Sequence, residues 1–267
     1  MKKWMYLGLF TLVMVGTLTL NSCKKNESVV DDIETIGDNS KAEMHYDLMY
    51  EQVDDAATAS GISSRGKLYN VTFDTVGSAK RMTLDWGSTN VLCADNVYRR
   101  GQIVVTWTGR YRDAGTIVTI TPTDFYQNDI KVEGSKVVEN KGRDANNNMY
   151  WSINVTGKLT FTDGSTFSWN SARIRTWTKG ESTKLIRLDD EYEITGSMSG
   201  LNRKNEAFTA TITKVLTVAI GCQYHIVSGV LDFEKNSNKT TIDYGSGVCD
   251  NTITVTRNGV TRTITKK

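Results

Sequence analysis

Ile253-Thr254-Val255-Thr256-Arg257-Asn258-Gly259-Val260-Thr261-Arg262-Thr263-Ile264 consists of two alternating runs either side of an Asn-Gly pair. Asn-Gly tolerates the positive φ angles of a type I′ turn, so the runs are expected to fold back as a hairpin, with Arg257 opposite Val260 and Ile253 opposite Ile264. That register sorts the side chains. Ile253, Val255, Val260 and Ile264 share one face with Arg257 and Arg262, and Thr254, Thr256, Thr261 and Thr263 share the other. One covered face and one wet face are expected of an antiparallel pair.

The same unit recurs upstream. Leu159 and Phe161 precede Asp163-Gly164, and Phe167 and Trp169 follow it. From Leu68 onward, short runs of Thr, Val, Ile and aromatic residues are broken by Gly, Asn and Asp, which is the pattern of strands and turns. An apolar residue, a hydroxyl residue and a glycine recur together at Trp107-Thr108-Gly109, Val155-Thr156-Gly157, Ile194-Thr195-Gly196 and Val227-Ser228-Gly229. Their uneven spacing argues against a solenoid and fits a meander of hairpins, in which a strand glycine marks a bend or bulge. The 267 residues hold 22 glycines and a single proline, Pro122. The expected fold is all-β: an antiparallel meander of hairpins forming an open barrel or a two-sheet sandwich, with one N-terminal helix. The body should span residues 63–267.

The helix is expected within residues 40–62. Ser40 and Glu43 form a capping box, and Met44, Tyr46, Leu48, Met49, Tyr50 and Val53 follow at roughly helical spacing. The stripe should dock on the sheet, leaving His45 in solvent. Residues 23–39 are polar and acidic and read as a flexible spacer.

Residues 1–22 form a leader. Lys2 and Lys3 precede an apolar run from Met5 to Gly16, too short for a membrane span of roughly 20 residues. Leu20-Asn21-Ser22-Cys23 resembles the lipobox of bacterial lipoproteins, which implies cleavage before Cys23 and a lipid anchor on its sulfur. With residues 1–22 removed, acidic and basic residues balance. No net basic domain or clustered basic face points to nucleic acid as a partner.

Cys93, Cys222 and Cys249 remain. Cys222 and Cys249 are the favoured disulfide, closing a loop worth ~3 to 4 kcal/mol, with pairings to Cys93 as alternatives.

Leu84-Asp85-Trp86-Gly87-Ser88 matches Ile242-Asp243-Tyr244-Gly245-Ser246 in type at five consecutive positions, and duplication and convergent turn chemistry both explain it. Over most of its mature length the chain resembles a group of uncharacterised outer-membrane lipoproteins of Bacteroidota-type Gram-negative bacteria. Arg99-Arg100-Gly101-Gln102-Ile103, Gly109-Arg110-Tyr111-Arg112-Asp113-Ala114-Gly115 and Tyr244-Gly245-Ser246-Gly247-Val248-Cys249-Asp250-Asn251 carry that resemblance. It implies an outer-membrane lipoprotein, facing the periplasm or the cell surface, and brings no activity with it. Lys24-Lys25-Asn26-Glu27 matches the surface-export signal of such organisms only in part. Asp74-Thr75-Val76 resembles their short O-glycosylation site.

Little catalytic material is visible. The two histidines, His45 and His225, are read as a solvated helix residue and a packed or edge strand residue. No zinc-ligand cluster, nucleophile elbow or phosphate loop occurs, and no cofactor is implied. Asp144-Ala145-Asn146-Asn147-Asn148 begins like a calcium loop but lacks its later ligands and reads as a polar turn. Asp85 and Asp243 are the pair a glycan hydrolase would use, although an aspartate before an aromatic-glycine turn more often stabilises the turn. Trp86, Trp107, Trp151, Trp169 and Trp177 are expected in the core. Arg173, Arg175 and Trp177 fall on one face of a strand and form the candidate ligand-facing surface. The function expected is that of a lipid-anchored, non-catalytic binding or structural protein with a glycan, lipid or envelope-protein partner. The alternative is a carboxylate-dependent hydrolase acting on glycans in a curved cleft.

Overall fold

A computed structural model describes residues 23–58, 68–183, 186–223 and 225–265. Residues 1–22, the expected leader, lie outside them. A helix α1 (Cys23–Thr58) is followed by β1 (Asn70–Val76), β2 (Ala79–Asp85), β3 (Val91–Leu92), β4 (Tyr98–Trp107), β5 (Ile117–Gln127), β6 (Ile130–Arg143) and β7 (Met149–Thr160). The chain continues through β8 (Thr166–Lys179), β9 (Glu191–Leu201), β10 (Ala207–Ala219), β11 (Ile226–Lys235), β12 (Asn238–Ser246), β13 (Thr252–Arg257) and β14 (Val260–Thr265).

The strands form one antiparallel meander in sequence order, with β3 paired to the side on β4. The sheet is not closed into a barrel and does not split into a sandwich: β1 and β14 are its two edges. It is curled, because inward residues from β2 (Leu84), β5 (Phe125), β8 (Trp169), β10 (Phe208) and β12 (Ile242) meet in one core with α1. Burying those alternating residues at roughly 25 cal/mol per Å² of apolar surface drives the curl.

The C-terminal hairpin has the expected register, Arg257 opposite Val260 and Ile253 opposite Ile264, and Asn258 and Gly259 have φ of 50° and 75°. Its apolar face is covered only in part. Ile253 and Val255 pack on the core, whereas Val260 on the edge strand is 58% exposed, having no strand beyond it. At the second hairpin Leu159 pairs with Phe167, and both are fully buried.

The glycines mark close approaches. Gly134 and Gly157 face each other across β6 and β7, and a Cβ on Gly157 would lie 2.5 Å from the Trp169 ring. Tyr46 of α1 occupies the notch so formed, edge-on to Trp169 at 5.2 Å, and its hydroxyl donates to the Glu133 carbonyl at 2.8 Å. Gly229 (φ +110°) lies within a register shift between β10 and β11, a bulge that bends the sheet.

The helix differs from expectation in two ways. It begins at Cys23, and Thr35, Asp38 and Asn39, assigned to the spacer, are buried. Two of them have partners that offset the cost of burial: Asn202 of the sheet donates to the Thr35 hydroxyl at 3.1 Å, and Asp38 pairs with Lys41 of the same helix at 3.6 Å. The inward stripe keeps the expected Tyr46, Met49 and Val53 but is completed by alanines rather than by Met44. Ala42, Tyr46, Met49, Val53 and Ala56 are buried at 4-3-4-3 spacing, while Met44 is 50% exposed. His45 is therefore buried rather than solvated, with Nδ1 against Gln127 Oε1. His225 lies outside any strand, exposed and at φ 54° just before β11, where a turn rather than a strand residue is required.

Candidate functional site

Because the strands alternate, their connections fall into two sets. One end of the sheet carries the turns at 128–129, 161–165, 202–206, 236–237 and 258–259, together with the 86–97 connection that contains β3. The other carries 77–78, 108–116, 144–148, 180–190, 220–225 and 247–251, among them the long segments 108–116 and 180–190. We call these the turn end and the loop end.

Arg173, Arg175 and Trp177 do share one face of β8, and it is the inward face, with Phe167, Trp169 and Ser171. They do not form one open surface. Arg173 lies opposite Gly196 of β9 and pairs with Glu43 of α1 at 3.3 Å, while Lys136 of β6 pairs with Asp47 at 3.1 Å. Burial pushes the Glu43 carboxyl above its ordinary range, and Arg173 opposes that shift. Losing Arg173 would strand the desolvated Glu43 carboxyl, so that pair ties the helix to β8, and the Lys136–Asp47 pair, whose carboxylate is exposed, adds a weaker tie to β6.

Arg175 and Trp177 belong to a ladder of cations and rings at the loop end. Tyr111 stacks on Trp151 at 5.6 Å, Arg175 lies 5.1 Å from both Trp151 and Tyr192, Tyr192 stacks on Trp177 at 5.8 Å, and Arg112 lies 4.8 Å from Trp177. Arg175 Nη2 donates to the Tyr111 hydroxyl at 2.6 Å. Burial works against the Arg175 charge, but the phenols of Tyr111, Tyr50 and Tyr192 outweigh it and hold the group protonated. Burial pushes Tyr192 up to about 12, with Arg175 opposing and Asp190 adding to the shift. Desolvated cation–ring contacts of this kind are worth on the order of 1–2 kcal/mol each.

Asp190 links the ladder to the surface. Its two oxygens accept from Trp177 Nε1 at 3.1 Å and the Tyr192 hydroxyl at 3.2 Å, and it lines a cleft of about 240 Å³ with Leu188, Asp189, Ala219 and the Cys222–Cys249 disulfide. That disulfide is the favoured pairing, with Cα atoms 5.6 Å apart, and Cys93 is reduced and buried. The loop end also exposes Ile186 (56%), Leu188 (73%) and Val248 (64%). The strand face was legible in the sequence, but Arg112, Tyr111 and Asp190, which reach the ladder from separate loops, were not. The only available signal was the alternation of Arg with aromatic residues in 110–112 and 173–177.

The two candidate carboxylates are committed to turns. Asp85 Oδ1 accepts from the Gly87 amide at 2.7 Å and its Oδ2 from Gln102 at 2.9 Å, while Asp243 Oδ1 accepts from the Gly245 amide at 2.8 Å. Both copies of the sequence repeat make the same turn bond, with Asp85 closing β2 at the turn end and Asp243 near the loop end of β12. Asp144 behaves similarly, accepting from the amides of Asn146 and Asn148 at 2.9 Å. Among the described residues no three His, Cys, Asp or Glu side chains are grouped as metal ligands.

Trp86, Trp151, Trp169 and Trp177 are buried and Trp107 is partly so and packed against the core, which places these five tryptophans as expected. No helix among the described residues is long and apolar enough to cross a membrane. No family model matches the chain, and no curated protein or solved structure matches it.

Proposed function

We propose that this is a lipid-anchored envelope protein of the outer membrane with a non-catalytic binding or structural role, its partner being a glycan, a lipid or another envelope protein. The observation that carries the reading is the occupied inner face. A curved sheet becomes a substrate cleft only if its concave side is open, and here α1 fills it with Ala42, Tyr46, Met49, Val53 and Ala56. The carboxylates a hydrolase would need are bonded to their own turns, which leaves the outer surface and the loop end for recognition. The disulfide fits an oxidising compartment outside the cytoplasm. The lipobox-like tetrad ending at Cys23 and the resemblance to Bacteroidota-type lipoproteins support the anchor.

Two measurements test this. Mass spectrometry of the N-terminal peptide from membrane-extracted protein is expected to show Cys23 as the first residue, carrying acyl chains; an unacylated Cys23 removes the anchor. A glycan-array and lipid-overlay screen is expected to give binding without turnover. Turnover abolished by Asp85→Asn or Asp243→Asn would establish the hydrolase instead.

A further inference from the structure

The path of α1 gives the body a direction. Near its C-terminal part, the Tyr50 ring lies 6.5 Å from Tyr111 in the loop-end segment 108–116. Glu43 meets Arg173 part-way along β8. Thr35 then meets Asn202, in the turn that joins β9 and β10 at the turn end. Followed toward its N-terminus, from Tyr50 through Glu43 to Thr35, the helix therefore runs from the loop end to the turn end.

Glu34 is exposed, and the helix continues to Cys23. The stretch from Thr35 back to Cys23 extends it by about 18 Å at 1.5 Å per residue. The strands on which it lies are as long as the 14 residues of β6 and β8. That puts the two ends of the sheet roughly 40 Å apart at about 3.3 Å per residue. A helical segment of this length carries the amino terminus away from the turn end and does not bring it round to the loop end.

Resting on the lipid-anchor reading above, we propose that the body stands on the bilayer with its turn end toward the lipid and its loop end pointing away. Charged groups pair at both ends, Lys235 with Glu206 at 3.0 Å and Arg203 with Asp163 at the turn end, and Arg143 with Glu181 at 2.6 Å and Lys179 with Glu191 at 2.8 Å at the loop end, so the orientation rests on the path of α1. The disulfide-bound cleft and the exposed Ile186, Leu188 and Val248 are all at the loop end, which this orientation leaves in water where a partner outside the membrane reaches them.

The test uses the full chain extracted with its native acyl groups and returned to phosphatidylethanolamine–phosphatidylglycerol vesicles containing an acceptor-labelled lipid. A donor dye is placed at the turn end through Leu201→Cys or at the loop end through Ala145→Cys, both exposed positions. Energy transfer from residue 201 is expected to exceed that from residue 145 about two- to threefold across the roughly 40 Å strand length. Equal transfer, or greater transfer from residue 145, on protein whose Cys23 is acylated overturns the orientation and leaves the anchor intact. Absence of acyl chains on Cys23 overturns the anchor and the orientation together.

Discussion

Gly157 and His45 show how single residues set the seat of the helix. With no side chain, Gly157 lets the Trp169 ring lie against the backbone, and Tyr46 packs on that ring. Gly157→Ala is expected to cost about 1–3 kcal/mol by overpacking, read as a lower urea midpoint at unchanged slope. An unchanged midpoint would show that the notch is not needed. His45 titrates below its ordinary value of 6.5, chiefly because burial penalises its charge, with Arg99 and Lys41 adding to the effect and Gln127 opposing it. A lowered folded-state value means that the unfolded chain takes up the proton first as pH falls, so stability is full above 6.5 and declines below it, at up to about 1.4 kcal/mol per pH unit. Glu43, whose value is raised, acts in the opposite sense from 4.5 upward. Comparison of the wild type with His45→Gln between pH 7.5 and 5.5 isolates the histidine: the wild type should lose the larger amount, and equal slopes would refute the assignment.

Among the elements, hairpins were the most legible in sequence and the helix the least. Asn258-Gly259 and Asp163-Gly164 specify their turns locally, so both registers follow from a few neighbouring residues. The helix was legible as a helix and so was much of its inward face, since Tyr46, Met49 and Val53 are buried, but Met44 was misplaced because its large apolar side chain was taken to mark that face. The structure instead turns Ala42 and Ala56 toward the sheet, where small side chains permit close packing, and buries His45 against a partner 82 residues away. Burial of Thr35, Asp38 and Asn39 was illegible for the same reason, since polar residues read as spacer unless a distant partner such as Asn202 is known. The disulfide ties the β10–β11 and β12–β13 connections together, 27 residues apart in sequence. Its reduction is expected to lower stability by ~3 to 4 kcal/mol on the loop-entropy account, measured by denaturant titration with and without reductant. Coincident curves would mean that the loop end is held by packing alone.

At the scale of the whole molecule, the all-β meander follows from alternating strands and turn residues, whereas its closure does not. Whether the strands curl round one helix, form a barrel or split into two sheets depends on contacts between residues far apart in the chain, such as Tyr46 with Gly134 and Trp169, Glu43 with Arg173, and Thr35 with Asn202. The candidate surface was legible to the same extent: one strand contributed Arg173, Arg175 and Trp177, but their neighbours came from α1 and from separate loops. The place of α1 in the core matters most, since an occupied inner face is what argues against a substrate cleft and what directs the chain out through the turn end. Hydrogen exchange on the full chain tests this most directly. Amides of residues 42–56 are expected to exchange as slowly as those of β7, because both open only with the core. Exchange of residues 42–56 within seconds, while β7 stays protected, would show the helix detached and the inner face open.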